Sequence, residues 1–176
     1  MSNLLRLLAP RYCVDAVFDL TPSRLRAWGI EALMLDLDNT LVAWGKSEPP
    51  EEVLAWLEDL RRSGIPVCLV SNTLSRRLRA ATVALELPAA PGRSKPSADK
   101  LRRALRILGT SPDRTAMVGD QLFTDVLAGN RLGIPTILTG PLSPYEPLRV
   151  RFVRAIERFV LRSLARKGVV PVRPQV

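Results

Sequence analysis

Short apolar runs alternate along this chain with longer stretches in which apolar positions recur every three or four residues. The runs are "ALMLDL" (32–37), "PVCLV" (66–70), a weaker "LPAAP" (87–91), "TAMVGD" (115–120) and "IPTILT" (134–139). Runs of that length, apolar without strict alternation, suit strands covered on both faces, and the helical stretches between them supply the cover. The pattern therefore predicts an α/β fold, a Rossmann-like three-layer sandwich around a mainly parallel five-stranded sheet.

The helical stretches carry their own start and stop signals. Ser47, Pro49, Pro50, Glu51 and Glu52 predict a helix start, because proline fits the first turn and acids suit its positive end. Val53, Leu54, Trp56, Leu57 and Leu60 then form the expected buried stripe, and Gly64 ends it. A second helix, rich in arginine, is expected over about 75–85. A third is capped by Ser97 and striped by Leu101, Ala104, Leu105 and Leu108 before Gly109. A fourth spans about 123–131 and stops at Gly133. No internal repeat or low-complexity segment interrupts the pattern, and the residues from Pro171 onward read as a frayed terminus.

Composition narrows the class. With 176 residues, 47% of them hydrophobic, the chain fits one globular domain with a full core. No run of about 18 apolar residues occurs, and "LLRLLAP" is broken by Arg6, so neither a membrane span nor export is expected and the expected location is cytoplasmic. Cys13 and Cys68 match no disulfide framework or metal-binding spacing, and Cys68 reads as a small core hydrophobe. The absence of any histidine excludes Ser-His-Asp and Cys-His nucleophile systems and most imidazole acid–base chemistry. What remains is carboxylates, lysine, hydroxyls and a hard metal. The net charge of +9 is uneven: residues 149–176 hold eight basic residues against Glu157, and so carry +7 of it.

In open α/β sheets ligands bind beyond the carboxyl ends of the strands. There the sequence places Asp36, Asp38, Asn39 and Thr40, then Ser71 and Asn72, then Lys95 ahead of the third helix, then Gly119, Asp120, Gln121, Thr124 and Asp125. Every strong polar cluster falls at one edge of the predicted sheet. Two carboxylates about 4 Å apart repel by roughly 4 kcal/mol at an effective dielectric near 20, so such a set needs a counter-charge. Mg²⁺ takes oxygen ligands and keeps positions open for a phosphate, which Lys95, Ser71 and the helix N-terminus behind Asn72 are suited to hold. One carboxylate is then free to attack phosphorus, and an aspartyl-phosphate divides a slow hydrolysis into two steps.

"LDLDNTLV", "LVSNT", "SKP" and "MVGDQLFTD", in that order over about residues 31–140, resemble the four motifs of the haloacid dehalogenase (HAD) superfamily of phosphatases. The resemblance implies that Asp36 is the nucleophile and Asp38 the general acid–base. It implies that Ser71 binds phosphate and that Lys95 steadies phosphate and nucleophile. Mg²⁺ would be held by Asp36, the carbonyl of Asp38 and Asp120, with Thr40 and Asp125 in support. It further implies a HAD-like domain over 31–145, preceded by an extension (1–30) packed on the core and followed by a basic amphipathic helix (146–170).

Superfamily members often carry an inserted cap domain. Here 32 residues separate Asp38 from Ser71 and 22 separate Asn72 from Lys95, too few for a domain of about 50 residues or more, so no cap is expected and the site should be open. The compact spacing and the segment "LLAPRYCVDAVFDLTPSRLRAWGI" resemble the YqeG-like, class IIIA branch, which is similar to the fungal mitochondrial phosphatidylglycerophosphate phosphatase. That implies a lipid head-group phosphate at a membrane surface.

On a C-terminal helix Phe152, Val153, Ile156, Phe159, Val160 and Leu164 share one stripe, with Arg151, Arg154, Arg158, Arg162 and Arg166 around it. Such a helix can lie peripherally on anionic lipid, inside the cell on the inner membrane face, or pack its stripe on the sheet. Nucleic acid would also meet arginines, but no recognised nucleic-acid fold or stacking platform is present. Three readings stand: a Mg²⁺-dependent phosphatase for a lipid-linked phosphate, a soluble phosphatase for a sugar, nucleotide, protein or nucleic-acid phosphate, and a non-catalytic binding module. Oligomeric state is not legible in the sequence.

Overall fold

The strands that form are Tyr12–Val14 (β1), Ala32–Leu35 (β2), Val67–Leu69 (β3), Thr115–Gly119 (β4) and Thr136–Thr139 (β5), in a computed structural model that describes residues 3–73 and 75–169. They make one sheet in the order β1-β5-β4-β2-β3, and every neighbouring pair is parallel. Four of the five lie where the apolar runs predict. "LPAAP" does not become a strand; it contributes a single bridge between Ala89 and Leu69. Pro88 and Pro91 bracket it, and a residue without an N–H cannot extend a ladder. The fifth strand is β1 instead, which pairs Cys13 with Leu138 at the sheet edge. Three residues are too few for periodicity to reveal.

Seven helices complete the described chain: Asn3–Leu7 (α1), Pro22–Ala27 (α2), Glu51–Arg62 (α3), Ser75–Leu85 (α4), Asp99–Leu108 (α5), Leu127–Asn130 (α6) and Leu148–Arg166 (α7). Successive strand residues point to opposite faces, and the core divides accordingly. Leu33, Leu35, Ala116 and Val118 pack with α2, α3 and α4, while Met34, Met117 and Cys68 pack with α5 and α6. On α3, Val53, Trp56, Leu57 and Leu60 are buried, and the Trp56 indole N–H donates to the Leu20 carbonyl at 2.8 Å. Leu54, expected in that stripe, is exposed, because it lies off the face that meets the sheet. Helix α5 starts one residue later than a Ser97 cap would require, with Ala98 at the cap position. The expected fourth helix divides into a π-helical turn, Leu122–Val126, and the short α6.

The apolar stripe expected on α7 splits in two. Leu164 is fully buried and Val160 partly so, against α1 and the π-helical turn. Phe152, Phe159 and Leu148 face outward and are 71–79% exposed. Among the described residues no helix is long and apolar enough to cross a membrane. The expected frayed terminus lies outside the described residues.

Candidate active site

The sheet order places a topological switch between β2 and β4: the chain leaves β2 toward β3 on one side and later builds β4 and β5 on the other. A crevice opens at such a point beyond the carboxyl ends of the strands. Asp36 and Asp38 follow β2, Ser71 follows β3, and Asp120 follows β4. The side chains of Asp36, Asp120 and Asp125 converge so that one oxygen of each lies within 4.8 Å of the others, and all three residues are buried.

Lys95 bridges two of them, Asp36 and Asp125. Its ammonium donates to Asp36 Oδ1 at 2.6 Å and to Asp125 Oδ1 at 2.5 Å, with its side chain almost wholly buried. Burial alone would lower its pKa, but Asp125 and Asp36 outweigh that and hold it charged. Asn72, expected to help bind phosphate, uses both ends of its amide on the Lys95 backbone: Nδ2 donates to the carbonyl at 2.9 Å and Oδ1 accepts the N–H at 2.7 Å. Ser71 is buried; its Oγ accepts the Thr73 N–H at 3.2 Å, and its carbonyl accepts from the ammonium of Lys100.

Asp38 stands apart from the carboxylate trio. Its Oδ1 accepts from Arg77 Nε on α4 at 2.9 Å, and Arg77 also donates to the Lys46 carbonyl. Burial and the nearby Asp36 raise the Asp38 pKa, with Arg77 pulling it back. A carboxyl group that holds its proton more readily than usual suits acid–base work.

Behind the trio lies a network that no local motif announces. Arg154 on α7 donates to Asp120 Oδ2 at 2.5 Å and to the Asp120 carbonyl at 2.8 Å, and its guanidinium also bonds Glu146. Glu146 in turn accepts from Asn39 Nδ2 at 2.7 Å, and Asn39 Oδ1 accepts the Ser143 N–H at 2.9 Å. Asn39 adopts a left-handed conformation, φ 61°, which asparagine tolerates better than most residues. Lys100, Arg77, Glu146 and Arg154 were not singled out in these roles by sequence reasoning. Glu157 alone left a trace, as the one acid in the basic tail on a face expected to be apolar. It is 3% exposed and accepts the Phe123 N–H at 2.9 Å.

Charge and valence show what the site can hold. Among the described residues, Asp36, Asp120, Asp125 and Glu146 make ion pairs with Lys95 and Arg154 alone, and with Lys100 near Asp36 counted as well the four carboxylates still outnumber the cations. Asp120 Oδ1 is buried without a hydrogen-bond partner among the described residues, and burial pushes the Asp120 pKa well up despite Arg154. An orphaned oxygen beside two other carboxylates fits a hard divalent cation, which would satisfy the lone pair and the charge together. Thr40 is also buried, and its hydroxyl has no hydrogen-bond partner among the described residues.

Residues 21–133 match the family profile of the haloacid dehalogenase-like hydrolases. The chain is 35% identical to "Probable phosphatase YqeG" of Bacillus subtilis (strain 168), over 94% of this chain and 96% of that protein. It is 31% identical to "Phosphatidylglycerophosphate phosphatase 1, chloroplastic/mitochondrial" of Arabidopsis thaliana, over 84% of this chain and 45% of that longer protein. A crystal structure of a HAD-superfamily hydrolase from Ehrlichia chaffeensis superposes with a TM-score of 0.54 over 76% of this chain and 97% of that one; at 15% identity this is a likeness of fold alone.

Proposed function

This chain belongs to the haloacid dehalogenase-like hydrolases and is a phosphatase, and from that premise we propose that it hydrolyses a phosphomonoester through an aspartyl-phosphate with Mg²⁺ as cofactor. The observation that carries this reading is the convergence of Asp36, Asp120 and Asp125, with Lys95 bridging Asp36 and Asp125 and Asp38 held aside on Arg77. Asp36, Asp120 and the Asp38 carbonyl would hold the cation, with Asp125 beside them in support. When bound, Mg²⁺ supplies the positive charge that offsets the buried carboxylates and the incoming phosphate.

The chain's own groups account for the proton and bond changes. An Asp36 oxygen attacks phosphorus while the bond to the leaving alkoxide breaks, and Asp38 gives that oxygen its proton. Water then attacks the acyl phosphate, passes its proton to Asp38 and frees inorganic phosphate with Asp36 restored. Lys95 and Ser71 offset and orient the phosphate oxygens, and Asn72 keeps Lys95 in place by its backbone.

The substrate we propose is a phosphate on something large or membrane-linked, such as phosphatidylglycerophosphate. Among the described residues only α3, β3 and α4 form between Asp38 and Lys95, so no inserted domain covers the site there. The outward face of α7 supports contact with an anionic surface: Phe152 and Phe159 stand beside Arg151, Arg158 and Arg162, all exposed. The relative from Arabidopsis thaliana carries that lipid in its name.

Two measurements test the proposal. Hydrolysis of an aryl phosphate is expected with Mg²⁺ and is expected to vanish under chelation and in Asp36→Asn. A protein inert toward every phosphate ester would overturn the enzymatic reading. Turnover of phosphatidylglycerophosphate in anionic vesicles should fall at least tenfold in Phe152→Ser/Phe159→Ser, following about 1.5–3 kcal/mol for each apolar side chain withdrawn from lipid. Equal turnover in that variant would remove the membrane contact from the proposal.

A further inference from the structure

Between α7 and the carboxyl ends of β1 and β5 lies a cavity of about 430 Å³. Its wall is largely apolar, with Cys13, Pro141, Leu161 and Ala165 offering surface. Its lining also includes Asp120, Glu146, Arg154 and Glu157, of which Asp120 and Glu146 are paired with Arg154 and Glu157 accepts the Phe123 N–H. Along one side run Arg151, Arg158 and Arg162 of α7. Spacings of seven and four put these arginines on one line of the helix. All three are exposed, and none is paired with a carboxylate among the described residues. The volume falls in the range of about 300–1,000 Å³ usual for ligand sites.

These features select a ligand class. An apolar wall gives little to a bare sugar or nucleotide phosphate, and a line of unpaired arginines disfavours a cationic amphiphile. The cavity shares Asp120 with the acid cluster, so whatever fills it adjoins the reacting centre. We propose that the cavity is a subsite for the hydrocarbon part of an anionic amphiphile. The chain lies against Cys13, Pro141, Leu161 and Ala165, its acidic group turned toward the Asp120 end, with Arg158 and Arg162 flanking the bound anion. This rests on the reading of the site as a phosphomonoesterase in placing the chain on the substrate, but the binding itself requires no turnover. The subsite also differs from the outward face of α7: Phe152 and Phe159 do not line the cavity.

The test is a homologous series, ethyl, butyl, hexyl and octyl phosphate below their micelle concentrations, titrated calorimetrically into the full chain in EDTA. Burying methylenes should tighten one-to-one binding by up to about fourfold for each CH₂ added, the equivalent of about 0.8 kcal/mol, until the cavity is full. Ala165→Trp narrows the cavity and should flatten the series. Arg158→Glu/Arg162→Glu, at exposed positions where folding is not at stake, should weaken every member and abolish the preference for octyl phosphate over octyltrimethylammonium. A flat series in the wild-type chain, or an unchanged charge preference in the reversed pair, overturns the inference. Repeating the series with Mg²⁺ separates the two readings. Chain-dependent binding without hydrolysis of any member would sink the phosphatase chemistry and leave the subsite. Hydrolysis with the same kcat/KM for ethyl and octyl phosphate would sink the subsite and leave the phosphatase.

Discussion

Gly119 has no room for a side chain: a Cβ built there would lie 2.2 Å from Asp125 Oδ2. That gap lets the Asp125 carboxylate sit against the end of β4, where it accepts the Gln121 N–H at 3.1 Å and meets Lys95. Gly119→Ala must displace Asp125, and misplacing a catalytic group by about 1 Å costs on the order of 10²-fold. The expected result is a fall of that size in kcat/KM for an aryl phosphate together with a weaker Mg²⁺ requirement curve; full activity would show that Asp125 is not needed where it stands. Asp38 and Arg77 form a second residue-scale unit. Burial already raises the Asp38 pKa and Arg77 opposes the rise, so Arg77→Ala should raise it further and carry the alkaline limb of kcat/KM to higher pH. An alkyl phosphate, whose leaving oxygen needs a proton, is the substrate on which to measure it. An unmoved limb would mean that Asp38 is not the acid. Residue types at strand ends pointed in advance to the positions that converge here; their partners did not announce themselves. Arg77 is one arginine among several on α4, and Glu146 reaches Asn39 across 107 positions of sequence.

At the scale of elements, α7 acts in three directions at once. Leu164 and Val160 seat it on the fold, Arg154 reaches Asp120, and Phe152 and Phe159 face out. Periodicity alone could assign one apolar stripe but could not divide it, because adjacent faces of a helix differ only by what packs on them. Glu157 fastens the helix to the π-helical turn that bears Asp125, through the Phe123 N–H. Burial pushes its pKa from an ordinary 4.5 to about 7, against the pull of that hydrogen bond. A carboxyl whose folded pKa is raised favours the folded state while protonated. Below about pH 4.5 that contribution is whole; between 4.5 and 7 the unfolded chain gives up the proton while the folded chain keeps it, and the contribution is lost. The loss is about 3 kcal/mol across the window. Glu157→Gln keeps an oxygen for Phe123 without the titration. Urea unfolding in EDTA should therefore give a stability difference, wild type minus variant, that falls by about that amount from pH 4.5 to 7.5. Parallel pH profiles would show that Glu157 is solvated in solution.

Over the whole molecule, the all-parallel sheet was readable because β2 and β4, at its centre, are buried throughout and mostly apolar. Its margins were not. Tyr12–Val14 joins as an edge on the strength of its pairing with β5 and the stacking of Tyr12 on Trp28, centroids 3.8 Å apart, and neither leaves a periodic mark. The same sheet gathers carboxylates from segments that are distant in sequence, so their mutual repulsion exists only in the folded state. A cation bound there, as proposed, would be coupled to folding: it would bind the native trio and find no such site in the unfolded chain. At a free concentration 100 times the dissociation constant, such binding adds about 2.7 kcal/mol. For a chain of this size that is a rise of roughly 5–11 °C in Tm. Thermal unfolding in EDTA and in Mg²⁺ at matched ionic strength should show this rise, and Asp120→Asn, which loses the charge of the orphaned carboxylate, should lose most of it. The comparison separates site binding from general screening, since an ion that acted only on surface charge would lift the variant equally. Equal shifts in the two proteins would place the cation elsewhere and leave the buried charge of the trio to be relieved by protonation.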